Sequence, residues 1–221
     1  MREVIDIPKR DQSDKVGLLG TEWTTCLMIL MSYNGHVGHI YKGSRLTTKL
    51  QKMGVDAIIW TSPYKALTIE IKASANISMA NAFIEEGVND RPGWIYNLES
   101  DYLIFIYLRD MMVYVMDICL LQGWYAKNKS NYNLREYRAK GRPSFNKYRL
   151  VPWEDLIAGM GEENIAGFNL KDEKSIMVGL KRLGLWNYAE GHGLPEDEYR
   201  FSVIYGNKKP TTPVWAKEEL E

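Results

Sequence analysis

The chain is expected to be a mixed α/β protein, a β-sheet flanked by helices with a C-terminal extension. Three observations lead there. Apolar runs rich in Ile, Val and aromatic residues read as strands at about 54–60, 66–72, 101–108 and 112–116. Segments with apolar residues at helical spacing alternate with them, in the order helix, strand, strand, helix, strand, strand, helix. Finally, 221 residues at 45% hydrophobic content, with seven Trp and fourteen Tyr, suffice for one large core and argue against disorder.

Taken in order, Ser13 can cap a first helix over 13–32, whose apolar face is Val16, Leu19, Trp23, Cys26, Leu27 and Leu30. Glu22 sits beside that face, and Gly35-His36-Val37-Gly38-His39 closes the unit. Residues 40–53 are polar and basic and have no assignable state. Behind Gly54-Val55 comes a strand, Asp56-Ala57-Ile58-Ile59-Trp60, and after a turn at 61–65 its hairpin partner, Leu67-Thr68-Ile69-Glu70-Ile71-Lys72. Both are rich in Ile and Ala, as central strands are.

Residues 77–89 are expected to form a helix ending near Asn89-Asp90-Arg91-Pro92-Gly93. The clearest strand spans 101–108 and turns at Arg109-Asp110 into a partner at 112–116. A short helix is expected over 117–127, and Gly141-Arg142-Pro143 breaks the stretch that follows. Residues 150–157 read as a strand end entering a short helix, and Ile176, Leu180, Leu183 and Leu185 mark a last helix over 173–189. The end of the chain, with Pro210, Pro213 and Glu218-Glu219-Leu220-Glu221, suggests a loose tail. This divides the chain into a core over 1–157, which includes a basic segment at 127–149, and a helical extension and tail over 158–221.

Composition excludes several classes. No run reaches the ~18 apolar residues that span a bilayer, and the N-terminus lacks a signal-peptide core, so an intracellular protein away from membranes is expected. Cys26 and Cys119 are the only cysteines, too few and too far apart for a zinc knuckle or redox motif, and are expected to be buried thiols. His36, His39 and His192 read as loop histidines. No phosphate-binding glycine loop, nucleophile elbow or dinucleotide fingerprint is present.

The chemistry concentrates in the first hairpin. Residues i and i+2 of a strand share a face, so Glu70 and Lys72 point together while Ile69 and Ile71 pack behind them. The short turn brings Asp56 to the same end of the sheet. On an exposed face such a pair is an ordinary surface ion pair, worth ~0–1 kcal/mol. In buried strands the charges are costly unless they are paired or hold a metal.

In these residues the chain resembles the PD-(D/E)XK nuclease superfamily, the fold of restriction endonucleases, archaeal-type Holliday-junction resolvases and many phage nucleases. The matching pieces are Glu22 on the first helix, Asp56 on the next strand, Glu70-Ile71-Lys72 on its partner, the strand at 101–105 and the segment at 149–156. The family's Pro-Asp is Val55-Asp56 here. The resemblance implies Mg²⁺ or Mn²⁺ held by Asp56, Glu70 and the Ile71 carbonyl, with Glu22 contributing directly or through water. It implies that Asp56, Glu70 and Lys72 are catalytic, with Lys72 orienting the attacking water. Hard oxygen ligands suit Mg²⁺, which keeps several waters, and flanking carboxylates favour the charged form of a lysine.

Net charge is zero, but residues 127–149 carry +7 and residues 150–221 carry −5. Lys127, Lys129, Arg135, Arg138, Lys140, Arg142, Lys147 and Arg149 are interleaved with Tyr125, Tyr132, Tyr137, Phe145 and Tyr148. Cations that meet phosphates and aromatics that stack on bases would bind DNA without reading its sequence. The expected function is therefore a metal-dependent DNA nuclease that meets DNA mainly through phosphates. Junction or double-strand cutting would favour a homodimer. A catalytically silent binding module and an RNA nuclease on the same fold remain the alternatives.

Overall fold

The computed structural model describes residues 10–33, 37–40, 45–75, 80–138 and 145–186. A long helix α1 (Arg10–Met31) is followed by β1 (Val37–His39), α2 (Arg45–Lys52) and the hairpin of β2 (Ala57–Ser62) and β3 (Lys65–Ser74). Next come β4 (Asn81–Val88), β5 (Arg91–Pro92), the one-turn α3 (Trp94–Asn97), the hairpin of β6 (Tyr102–Tyr107) and β7 (Met112–Asp117), and α4 (Ile118–Asn128). A 3-10 turn (Lys129–Asn131), β8 (Arg135–Arg138), β9 (Phe145–Pro152), α5 (Trp153–Met160), β10 (Ile165–Asn169) and α6 (Glu173–Arg182) complete the described chain.

The fold is mixed α/β, as expected. A six-stranded sheet runs β1-β2-β3-β6-β7-β10, and its neighbours are antiparallel except for the parallel pair β3–β6. The crossover that makes this pair parallel carries β4, β5 and α3. A second, antiparallel sheet runs β5-β4-β9-β8. No helix of the described residues is long and apolar enough to cross a membrane.

Alternation along the strands divides the core in two. On one face of the main sheet Ala57, Ile59, Ile69, Ile71, Ile104, Ile106, Val113 and Val115 pack with Leu27, Met28 and Met31 of α1 and with Ile176 and Leu180 of α6. Gly20 lets α1 approach closely, since a Cβ there would lie 2.4 Å from the Ala73 Cβ. On the other face Leu103, Phe105, Tyr107 and Met116 pack with Ala82, Ile84 and Val151 of the second sheet and with Leu121, Tyr125, Trp153 and Leu156 of α4 and α5. An apolar side chain of this size contributes ~1.5–3 kcal/mol when fully buried, so both faces are strongly fixed.

Several expectations need correction. The helix expected over 77–89 is strand β4 from residue 81 on, and residues 76–79 lie outside the described ones. Ala82 and Ile84 are buried two apart, and pairing with β9 prevails over the helical propensity of Ala and Glu. The basic stretch, for which the sequence assigns only a break at Gly141-Arg142-Pro143, contains β8 and much of β9, paired to each other. Residues 45–52, without an assignable state in sequence, form α2. Cys119 is exposed, because helical spacing turns Ile118, Leu121 and Tyr125 of α4 inward instead. The side chain of Cys26, the backbone at His36 and His192, and the tail beyond 186 lie outside what is described.

The boundary expected at 157 falls inside α5, and β10 then adds an edge to the main sheet. Phe168 and Leu180 join the same core as Ile69. The described chain therefore continues into the sheet past that point.

Candidate active site

Asp56 precedes β2, and its backbone already belongs to the ladder: its N–H donates to the Ile69 carbonyl at 2.8 Å and its carbonyl accepts from the Ile40 N–H at 2.8 Å. Its side chain replaces the next rung, with Oδ2 accepting from the Ile71 N–H at 2.9 Å. The last β2–β3 pair at this end is Ala57–Ile69. The N–H and C=O of one strand residue leave on the same side of the strand, so the Ile71 carbonyl emerges beside the Asp56 carboxylate.

Glu70 is buried in β3 and in register with Leu103 of the parallel neighbour, on the face opposite Ile69 and Ile71. Lys72, two residues on, pairs its ammonium with Glu70 Oε1. The carboxyl groups of Glu70 and Asp56 lie within hydrogen-bonding range. Burial pushes the Glu70 carboxyl up to about 7; Lys72 pulls against that shift and Asp56 adds to it. An acid this perturbed is a buried carboxyl that one lysine does not fully stabilise, which makes Glu70 a candidate functional position.

Gly54 closes the site from below. Its φ is +73°, a left-handed conformation that glycine adopts without steric cost. A Cβ at this position would lie 2.2 Å from Leu98 Cδ2 and 3.4 Å from Glu70 Oε2. The glycine therefore lets α3's trailing loop seal the apolar side of the carboxylate.

Sequence reasoning missed one acid. Glu85 of β4 is half-buried; burial raises its carboxyl, while the Lys72 charge and the Trp94 backbone N–H pull it back. A bulge between Glu85 and Gly87 disrupts the β4–β9 ladder here. Reading 77–89 as a helix hid this residue, and only the pairing of β4 with β9 could have revealed it.

The remaining candidates are dispersed. Glu22 lies on α1, which covers the Ile69–Ile71 face rather than the Glu70–Lys72 face, and its side chain lies outside the described ones. Lys127, in the last turn of α4, is exposed. Lys129 donates to the Tyr96 hydroxyl at 3.1 Å and lies 5.2 Å from that ring's centre. Arg135 is exposed on β8; Arg138 ends that strand with its side chain outside the described ones, as are Lys140 and Arg142 altogether. Lys147 sits 5.4 Å from the centre of the Phe145 ring.

Arg149 turns inward. It is in register with Ile84, so it shares the core-facing side of the second sheet. Its Nε donates to Glu86 Oε1 at 2.7 Å, an oxygen that also accepts from the Tyr125 hydroxyl at 2.7 Å, and its Nη1 donates to the Tyr132 carbonyl. The interleaved aromatics are largely internal as well: Tyr125, Tyr137 and Tyr148 are buried, and Tyr148 stacks on Phe83 at 4.4 Å. Strand alternation puts Arg149 on the core-facing side and its neighbour Tyr148 on the opposite one, where it stacks on Phe83, while Tyr125 comes in from α4; none of this is visible in a charge count.

Among the described residues no three His, Cys, Asp or Glu side chains gather as a metal-binding group. The local donor set is two carboxylates and one carbonyl, all hard oxygens, which fits a Mg²⁺ that keeps several waters. No protein-family model matches the chain, and searches of curated proteins and of solved structures return no similar protein.

Proposed function

We propose that this protein is a Mg²⁺- or Mn²⁺-dependent nuclease of the PD-(D/E)XK type that hydrolyses phosphodiester bonds in DNA. One observation carries the reading: the carboxyl groups of Asp56 and buried Glu70 lie side by side, with Lys72 ion-paired to Glu70. Two acids so close repel when both ionise, and a divalent cation is the ligand that relieves this.

On this reading Asp56, Glu70 and the Ile71 carbonyl hold the ion. Once bound there, the ion would supply Lewis acidity at the phosphate and a more acidic water. Asp56 is held in place by the Ile71 N–H. Glu70 would bind the ion as the carboxylate, so occupancy would fall in acid. Lys72, anchored at Glu70, orients the attacking water and offsets charge building on the phosphate. Exposed Lys127 and Arg135, with half-buried Lys129 between them, meet backbone phosphates.

Digestion of plasmid and labelled oligonucleotides with Mg²⁺, Mn²⁺, Ca²⁺ or EDTA tests the proposal. Cleavage is expected with the first two, binding alone with Ca²⁺, and neither nicks nor fragments with EDTA. Equal cleavage by Glu70→Ala and wild-type protein would remove the assignment.

A further inference from the structure

Of the five aromatics interleaved with the basic segment, Tyr125, Tyr137 and Tyr148 are buried and Tyr132 and Phe145 half-buried, so none is fully presented to a ligand. Four large aromatic side chains are exposed among the described residues, and three of them, Tyr33, Trp60 and Tyr64, gather at one end of the β2–β3 hairpin. The Tyr33 N–H donates to the Trp60 carbonyl at 2.7 Å, and Tyr64 lies in the turn four residues beyond Trp60. Tyr64 is 99% exposed and Trp60 42%. Isolated exposed aromatics are ordinary; three at one place beside the proposed catalytic strand are not scattered.

Register places Trp60 further. It pairs with Ala66, and Ala66, Thr68, Glu70 and Lys72 follow one another at every second residue of β3. Trp60 is therefore on the same sheet face as Glu70 and Lys72, at one end of a row that sinks from exposed Ala66 through half-buried Thr68, whose hydroxyl donates to Asp101 Oδ2 at 2.8 Å, to buried Glu70. Gly38 of the edge strand supports the indole from below: a Cβ there would lie 3.6 and 3.7 Å from the ring's Cζ3 and Cη2. The six-membered ring of the indole therefore lies over Gly38 of β1. Four residues of strand separate Ala66 from Glu70, about 13 Å. A strand stacked at ~3.4 Å per nucleotide covers this in about four nucleotides, and an extended one in fewer.

We infer that Trp60 is a stacking platform for an unpaired nucleobase within about four nucleotides of the phosphate held at Glu70 and Lys72, so that the preferred substrate presents a single-stranded segment. This rests on the nuclease reading above. The occupant is a base rather than an apolar protein surface because the platform continues along one face into the proposed phosphate-cutting residues, with Lys72 in the same row. A base stacked within a duplex offers no free π face, whereas every unpaired base does.

The test is fluorescence anisotropy of the full chain with a labelled single-stranded DNA oligonucleotide in Ca²⁺, repeated with an abasic oligonucleotide of equal length. Trp60→Ala is expected to weaken binding of the base-bearing strand about tenfold, the size of one lost base stack. Trp60→Phe should retain most of the affinity. On the abasic strand wild type and Trp60→Ala should bind alike. Equal affinities of wild type and Trp60→Ala for the base-bearing strand, or an equal loss on both strands, would overturn the inference. A Trp60→Ala protein that sediments as a monomer where wild type is a dimer would overturn it too, by making the patch a self-interface. Wild-type cleavage with unchanged Trp60→Ala binding sinks the platform and leaves the nuclease; wild type that neither binds nor cuts DNA sinks both. Matched thermal melts of the variants exclude misfolding as the cause.

Discussion

The two sheets each hold a half-hidden acid next to a base, and the two pairs behave in opposite ways. Glu86, in the second sheet, accepts from Arg149 and Tyr125 on a single oxygen. Burial pulls its carboxyl up, but those hydrogen bonds outweigh burial and hold it below the usual carboxylate range. Glu70, in the main sheet, has Lys72 on one side and a second acid on the other, and it is pushed up to about 7. The first pair is closed: its charges answer each other, and it ties β4, β9 and α4 together. The second is left open toward a further positive charge. A folded chain tolerates such a deficit where a ligand will supply the compensation, which is the physical ground for placing function at Glu70 and structure at Glu86.

Breaking each pair should therefore read out differently. The largest expected effect is on cleavage: Glu70→Ala or Lys72→Ala should lose at least ~10²-fold in the initial rate of plasmid nicking with Mg²⁺, the order lost with one charge-stabilising group. Glu86→Gln, assayed on the folded fraction at the same metal concentration, should stay within a few-fold of wild type. Comparable losses in both would erase the distinction between the pairs.

Stability should move the other way at the open pair. An acid whose folded value is about 7 holds a proton that the unfolded chain, at 4.5, has released. The folded state therefore binds more protons between those values, and its stability falls as pH rises through that window. In EDTA, Glu70→Gln should be more stable than wild type by up to about 3 kcal/mol at pH 8, with the gain fading toward pH 4.5. Urea melts across pH decide this, and a Gln variant less stable at pH 8 would contradict it. Glu86, held low, has the reverse sign: its contribution is present above the ordinary carboxylate value and is lost as pH falls through its lowered one.

Removing one partner from the closed pair leaves an unanswered, largely buried charge. Arg149→Ala should cost about 2–3 kcal/mol in urea unfolding, whereas Lys72→Ala should cost little. The smallest effect sharpens the assignment of DNA contacts. Lys127→Ala with Lys129→Ala should flatten the log–log salt dependence of duplex binding by about 0.9 for each phosphate that the variant no longer neutralises. Arg149→Gln should leave that slope unchanged, because its guanidinium faces the core. A slope change with Arg149 and none with the lysines would relocate the DNA track.

How much of this is legible in the sequence depends on distance along the chain. The β2–β3 hairpin, the β6–β7 hairpin and the sharing of one face by Glu70 and Lys72 follow from local alternation and short turns, and the structure has all three. β4 was hidden because Ala, Glu and Ile in Asn81–Val88 suit either state, and its partner β9 lies some sixty residues away. Arg149 resembled its basic neighbours because charge is countable and register is not. One residue of shift separates a phosphate contact from a buried ion pair.

By itself the sequence determined the two hairpins of the main sheet, the α/β class and the grouping of Glu70 with Lys72, since each depends on side-chain type and short-range spacing. Only the tertiary structure decided which of those charges are compensated. It set Asp56 against Glu70, brought Glu85 toward Lys72, folded Arg149 onto Glu86, and left Trp60 open on the face that carries Glu70. Compensation depends on distance and burial, and those are properties of elements brought together from far apart in the chain.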